Sequence, residues 1–139
     1  MSAPLLAALL AAEHAAVYGY GVLGARLDDA TRRTALTAYD SHRARRDQLA
    51  ALLRSTGESP APPAAGYDVA TPTREAALAL AVRLEEGLSL RWRDLVAGTD
   101  DRALRTLAVG GLQETAVRAA TWRALAGGSA ITVALPGAS

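Results

Sequence analysis

The chain has 139 residues, a net charge of +1 at neutral pH and no cysteine. The length fits one domain of ordinary size, and so small a charge excludes a field that would steer the protein towards nucleic acid or an anionic membrane. The lack of cysteine excludes disulfides, thiolate metal sites and cysteine nucleophiles. Half of the residues are apolar. Because most of these are alanine and leucine, the composition favours an all-α domain.

The first predicted helix runs from about residue 3 to residue 27. Its apolar residues recur every three or four positions, which is the spacing of one helix face. Pro4 falls in the first turn, where its missing N–H breaks no hydrogen bond. No basic residue precedes Arg26, and Glu13 and His14 interrupt the apolar run. The segment therefore lacks the pattern of a signal peptide or a membrane span, and we expect a cytoplasmic protein that does not act on a membrane.

The second predicted helix runs from about residue 30 to residue 56, and Gly57 ends it. Asp28 and Asp29 precede this helix, and their charges suit its positive N-terminal end. The linker that follows, residues 58–70, contains three prolines and one glycine. These residues exclude a helix from the linker.

The third predicted helix runs from about residue 73 to residue 97, and the fourth from about residue 100 to residue 126. Pro72 stands at the start of the third helix, where proline is favoured. Gly98 separates the two helices. The tail, residues 129–139, contains β-branched residues and a proline. It is predicted to be an extended strap on the helices.

These elements predict a ferritin-like antiparallel four-helix bundle that forms a single domain over residues 1–139. Each helix has about 25 residues and a length of about 37 Å. Short turns join helices one to two and three to four, so each pair forms an antiparallel hairpin, and two hairpins of equal length bury their apolar stripes best as a bundle. The linker is long enough for either a simple up-and-down return or a crossover along the bundle, and its length does not distinguish them.

Polar residues in the middle of the apolar stripes are the most informative feature of the sequence. Glu13, His42 with Arg45, Glu85 and Glu114 lie at i, i+3, i+4 spacing within the stripes of helices one to four, respectively. Counting residues from each turn brings all of them to the middle of the bundle. An unpaired carboxylate there would cost several kcal/mol or take up a proton. Three such carboxylates therefore require compensation.

Two kinds of compensation are compatible with the sequence. One is a pair of divalent metal ions, which carboxylates bridge in some helix bundles. The other is a set of protein cations that form charge-assisted hydrogen bonds. The available cations are Arg45, Arg46, Arg118 and protonated His42. The first alternative implies an oxidase or an iron-binding protein, and the second implies a structural layer.

Four sequence motifs, taken in order, resemble the actinobacterial DUF4439 family. They are AEHAAVYGYG at residues 12–21, HRARRD at 42–47, VRLEEG at 82–87 followed by Trp92, and ITVALPG at 131–137. The resemblance covers nearly the whole chain, from about residue 5 to residue 137. It implies a ferritin-like bundle and a homodimer, and it brings no known activity.

The resemblance also implies a comparison with the two-metal site of the wider ferritin-like group, which takes one glutamate from each of two helices and Glu-x-x-His from each of the other two. The residues that match are Glu13, His42, Glu85 and Glu114, an incomplete set of ligands for iron or manganese. Tyr39 and Val117 stand where the other two ligands would be. Nearby arginines would also repel a metal cation.

We therefore favour a non-catalytic module that dimerises or binds a ligand or partner, with an ion-pair layer in its core and no cofactor. The alternative is a di-metal carboxylate protein, an oxidoreductase if it is an enzyme. Nucleic acid is not an expected partner, because Arg43, Arg45 and Arg46 spread over more than one helix face and no helix-turn-helix accompanies them.

Overall fold

The fold was obtained as a computed structural model, which describes residues 2–127 and 135–137. Its four helices are α1 (Ala3–Leu23), α2 (Asp29–Ser55), α3 (Arg74–Gly98) and α4 (Arg102–Leu125). A short 3-10 helix, Gly24–Arg26, extends α1, so the first helix ends slightly before the predicted boundary. The described part of the chain is all helical apart from its loops, which confirms the all-α four-helix bundle.

Side-chain caps fix the starts of three helices. Asp28, Thr73 and Asp101 each accept a hydrogen bond from the backbone N–H three residues later. Such a cap satisfies one of the N–H groups that a helix start leaves unpaired. The predicted starts of these three helices lie within two residues of the observed ones.

The connection between the two hairpins is a long crossover. The side chains of Asp28 and Arg74 lie 3.9 Å apart, so α2 and α3 begin at the same end of the bundle. Because α2 ends at the opposite end, residues 56–73 must return along its whole length. The geometry resolves the alternative that linker length left open: the connection is a single crossover along the bundle.

The crossover lies against α1 along its course. The ring Nε2 of His14 donates to the carbonyl oxygen of Ala61 at 3.1 Å. Further along, the rings of Tyr18 and Tyr67 are 5.1 Å apart. These contacts fix the crossover on the side of the bundle that α1 and α2 form.

Helix α1 contacts both α2 and α3. Together with the 3-10 turn, it is the one described segment, Ala3–Arg26, that is long and apolar enough to cross a membrane by length and composition. Within the bundle its inner face is covered by other helices, and Glu13 and Tyr20 are among its buried residues. These two residues therefore lie in the protein core.

The buried face of α4 differs from the predicted one. The residues that α4 buries are Ala108, Gly111, Thr115, Ala119 and Trp122. The predicted stripe ran from Leu104 through Gly111, Glu114 and Val117 to Leu125. It shares Gly111 with the buried face, but Val117 and Leu125 are 66% and 37% exposed. Both faces of α4 carry apolar residues, so periodicity alone did not identify the inner one. The small residues decide it, because a Cβ on Gly111 would lie 2.4 Å from the buried ring of Trp92.

The predicted extended tail, residues 129–139, falls mostly outside the described residues. Residues 135–137 are described, and they form a bend and turn beside α3. Arg93 Nη1 donates to the carbonyl oxygen of Gly137 at 2.8 Å. Gly137 has a φ of +80° and packs directly on the backbone of Ser89, where a side chain would not fit. This part of the tail is therefore held on the bundle.

Candidate functional site

A histidine in the middle of α2 joins two buried glutamates from α1 and α3. Nδ1 of His42 lies 2.7 Å from Oε2 of Glu13, and Nε2 of the same ring lies 2.8 Å from Oε1 of Glu85. All three residues have no exposed surface. We call Glu13, His42 and Glu85 the core triad. The sequence analysis placed these residues in one buried layer, and the structure confirms it.

Two aromatic side chains extend the core triad to the fourth helix. The hydroxyl of Tyr20 on α1 donates to Oε1 of Glu85 at 2.6 Å. The indole N–H of Trp122 on α4 in turn donates to the Tyr20 hydroxyl at 2.7 Å. A single chain of hydrogen bonds therefore crosses all four helices. Nothing in the spacing of the sequence connected Tyr20 or Trp122 to the glutamates.

The protons of this chain can be assigned from its acceptors. Oε1 of Glu85 accepts from Tyr20 and so takes its second hydrogen bond from Nε2–H of His42. A single proton then occupies the line between Nδ1 of His42 and Oε2 of Glu13, because two facing lone pairs at 2.7 Å would repel each other. Whether this proton belongs to the ring or to the carboxyl group, the core triad carries a net charge of −1.

The pKa shifts of the buried groups agree with a proton retained between His42 and Glu13. Burial alone lowers the pKa of His42, but its hydrogen bonds to Glu13 and Glu85 and their charges outweigh this effect and raise the pKa to about 9. Burial raises the pKa of Glu13, and the hydrogen bond and charge of His42 oppose that rise only in part. Burial and the charge of Glu85 also raise the pKa of Tyr20 well above its usual range.

The remaining negative charge faces an arginine at the edge of the bundle. Nη1 of Arg118 on α4 lies 3.8 Å from Oε2 of Glu85, and the arginine side chain is 21% exposed. The compensation that the sequence left open is therefore made by His42 and Arg118. The other two arginines of that set, Arg45 and Arg46, pair with acidic residues outside the core triad.

The prediction that Glu114 belongs to the buried layer is wrong. Its side chain is 47% exposed and accepts a hydrogen bond from Arg45 at 2.8 Å. A second arginine, Arg118, lies 3.8 Å from its other carboxylate oxygen. The error follows from the misplaced stripe on α4, whose inner face carries Thr115 instead.

The arrangement does not fit a two-metal centre. His42 directs both ring nitrogens at carboxylates, which leaves no lone pair for a metal ion, and Glu114 lies outside the layer. Within residues 2–127 and 135–137, no three His, Asp or Glu side chains are placed so that they could share one ion. The two remaining carboxylate oxygens, Oε1 of Glu13 and Oε2 of Glu85, have no hydrogen-bond partner among the described residues. They belong to side chains on opposite edges of the imidazole ring.

A second feature opens at the surface, where the crossover passes over α1 and α2. A cavity of about 620 Å³ is lined there by apolar and aromatic side chains with His14 and Arg46. We call it the crossover pocket. Its volume is within the range of small-molecule sites, roughly 300–1,000 Å³. The sequence analysis allowed for a ligand site without locating one, because the crossover's position could not be deduced from its length.

Comparison with known proteins places the chain in a family. The family described as "Domain of unknown function (DUF4439)" matches residues 5–139. A crystal structure of a conserved hypothetical protein, rv2844, from Mycobacterium tuberculosis is similar, with a TM-score of 0.85 and 32% identity over 88% of this chain and 94% of that one. No curated protein matches the sequence. The chain therefore belongs to the DUF4439 family, as the motifs of its sequence indicated.

Proposed function

We propose that the protein is a non-catalytic binding module whose buried charges serve to hold its four helices in one arrangement. The observation that carries this proposal is that His42 uses both ring nitrogens on Glu13 and Glu85 at zero exposure. A catalytic acid or base must reach its substrate, and these groups have no accessible surface. The interior then has a structural role, and binding takes place at the surface.

The chemistry of the core triad supports a structural role. Charged groups in a core are stable only when they are paired and hydrogen-bonded. Here a glutamate on α1, a histidine on α2 and a glutamate on α3 are hydrogen-bonded to one another across the bundle. Other packings of the same helices would separate these groups, so the hydrogen bonds favour the native one.

Metal analysis of the purified protein tests the proposal. The protein is purified without chelators, then loaded with iron(II) under anaerobic conditions and desalted. We expect well below one iron or manganese ion per chain in both samples and an unchanged unfolding midpoint. Close to two ions per chain, lost in a Glu13→Gln and Glu85→Gln double variant, would overturn the proposal.

The alternative function is a di-metal carboxylate protein with Glu13, His42, Glu85 and Glu114 among its ligands. The one observation that favours it is the pair of unpartnered carboxylate oxygens on Glu13 and Glu85. Binding of two metal ions would require His42 to break its hydrogen bond with one carboxylate and Glu114 to break its ion pairs with the arginines. The metal analysis distinguishes the two functions directly.

Homodimerisation is a further part of the proposal. The outer surface of α4 supports it, because Val109 and Val117 are 40% and 66% exposed. Exposed apolar patches on soluble proteins often mark interaction sites. Sedimentation velocity over a range of concentrations tests it: a dimer that Val117→Arg dissociates is the expected result, and a monomer at every concentration would refute this part alone.

A further inference from the structure

The crossover pocket has walls from three parts of the chain. Helix α1 supplies one wall, α2 a second, and the crossover residues 63–67 a third. The third wall is fixed locally, because the Tyr67 ring packs against Tyr18 at 5.1 Å and its hydroxyl accepts from the backbone N–H of Ala64 at 3.2 Å. The pocket is therefore formed in the unliganded chain, as small-molecule sites usually are.

Aromatic surface dominates the lining. Tyr18, Tyr39 and Tyr67 contribute their rings, and Val17 and Pro63 add apolar surface. Such rings favour a flat, apolar partner, which can stack on them or meet them edge to face. A glycine leaves the space between α1 and α2 open: a Cβ on Gly21 would meet only the Tyr39 ring, at 3.9 Å.

Among the residues that the structure describes, one permanent cation lines the pocket and no carboxylate does. Arg46 is 27% exposed, and Asp47, the acidic residue beside it, is 70% exposed. Asp47 takes Nε and Nη2 of the guanidinium, while Nη1 has no hydrogen-bond partner among the described residues. An arginine in this position can bind a carboxylate through a charge-assisted hydrogen bond.

From this lining we propose that the crossover pocket binds a small aromatic carboxylate, with its ring among the three tyrosines and its carboxylate on Arg46. The inference rests on the proposed binding function and names its ligand class. It does not depend on the state of the core triad, because none of the triad residues lines the pocket.

The probes are 2-naphthoate and the neutral 2-naphthamide, which share one ring system and differ in charge. Each is titrated into the full-length ¹⁵N-labelled protein and followed by amide chemical shifts. We expect saturable shifts clustered around Gly21, Tyr39 and residues 64–67. We also expect about tenfold tighter binding of the acid, the value of one charged hydrogen bond. Equal affinities, or scattered shifts that do not saturate, would overturn the proposal.

Two variants locate the site. Arg46→Gln should bring 2-naphthoate to about the affinity of 2-naphthamide and leave the amide unchanged. Gly21→Met should fill the pocket and weaken both probes by about tenfold or more. The matched control is Gly87→Met, at an exposed helical glycine with open space around it. It should bind both probes as the wild type does.

Undiminished 2-naphthoate binding in Arg46→Gln, or equal effects of the two methionine variants, would contradict the pocket. If Arg46→Gln does not fold, Arg46→Lys replaces it, since lysine keeps the charge and should retain part of the preference for the acid. Complete loss of that preference would mean that recognition requires the fork-shaped guanidinium. Full retention would mean that recognition requires only the positive charge. Failure of the binding tests with a metal-free protein refutes the pocket alone, whereas two tightly bound metal ions refute the proposed function.

Discussion

The core triad and the crossover pocket use charged side chains in opposite ways. In the core, His42 is enclosed by two carboxylates and both of its nitrogens are occupied. At the pocket, Arg46 pairs with Asp47, which is mainly in solvent, and Nη1 of its guanidinium has no hydrogen-bond partner among the described residues. Charges that satisfy each other hold a structure together, whereas a partly unsatisfied charge beside an open cavity is suited to a ligand. Within one small bundle, the core triad therefore serves stability and the crossover pocket serves binding.

The largest expected effect comes from removing the centre of the core triad. His42→Leu leaves Glu13 and Glu85 buried without their common partner, and breaking a buried ion pair in this way costs about 3–5 kcal/mol. Urea unfolding at pH 7 measures the loss. The matched control is Glu114→Gln, which alters an exposed pair and should cost less than about 1 kcal/mol. Similar losses in both variants would remove the distinction between core and surface.

The pH dependence of stability should reveal the retained proton. The pKa of His42 is raised to about 9 in the folded chain, from 6.5 for a free histidine. A raised pKa stabilises the fold fully below pH 6.5, and the contribution disappears as the pH rises through about 9. Stability should therefore fall by up to about 3 kcal/mol between these values.

Unfolding in urea at several pH values between 6 and 9.5 measures this fall. His42→Asn should abolish most of the fall, whereas His14→Gln, at the other histidine, should retain it. A wild-type stability that is flat or rises over this window would mean that the core triad holds no extra proton.

A smaller effect is expected at the aromatic end of the hydrogen-bond chain. Tyr20→Phe removes the hydroxyl that donates to Glu85 and leaves the indole N–H of Trp122 buried without an acceptor. Such an unsatisfied group costs about 1–3 kcal/mol. The control is Tyr18→Phe, since the Tyr18 ring is 41% exposed at the pocket. Thermal unfolding should show a clear decrease for the first variant and little change for the second.

The last pair of variants, glycine-to-alanine substitutions in each region, compares the packing of the core with that of the pocket. Gly111→Ala places a methyl group 2.4 Å from the buried ring of Trp92, and overpacking of this kind costs about 1–3 kcal/mol. Gly21→Ala meets only ordinary contact at the pocket and should stabilise α1 by about 0.5–1 kcal/mol through helix propensity. If urea unfolding shows that the free energy of unfolding falls for Gly111→Ala and rises for Gly21→Ala, the result supports a closed core and an open pocket. Changes of the same sign would contradict this description.

Much of the fold follows from the sequence. Proline, glycine and the capping residues predicted four helices and their loops, and the stripes on helices one to three correctly buried Glu13, His42 and Glu85. The stripe on α4 was misplaced because both of its faces carry apolar residues. Gly111 was correctly part of that stripe, but its contact with Trp92, which fixes the inner face, joins two helices and is not visible in the periodicity of one.

The partners within the candidate site were harder to predict. Residue counting brought Glu13 level with Arg45 and one helical turn from His42. The Glu13 side chain is long enough to reach either residue, so the count alone does not choose between them. The structure selects His42, while Arg45 stacks over Trp92 at 5.3 Å and bonds Glu114. Locating the pocket required the path of the crossover over the bundle. The contacts that fix this path, His14 with Ala61 and Tyr18 with Tyr67, join residues far apart in the chain.

The protonation of the His42 ring tests the central claim most directly. Nitrogen-15 NMR of histidine-labelled protein, prepared with a chelator at pH 7.5, distinguishes a charged ring with two N–H groups from a neutral ring with one. We predict that Nε2 carries a full proton and that Nδ1 shares one with Glu13, and that both signals persist until the pH approaches 9. A neutral ring with an unprotonated Nδ1 that titrates near pH 6.5, or signals that change on addition of iron(II), would contradict the account.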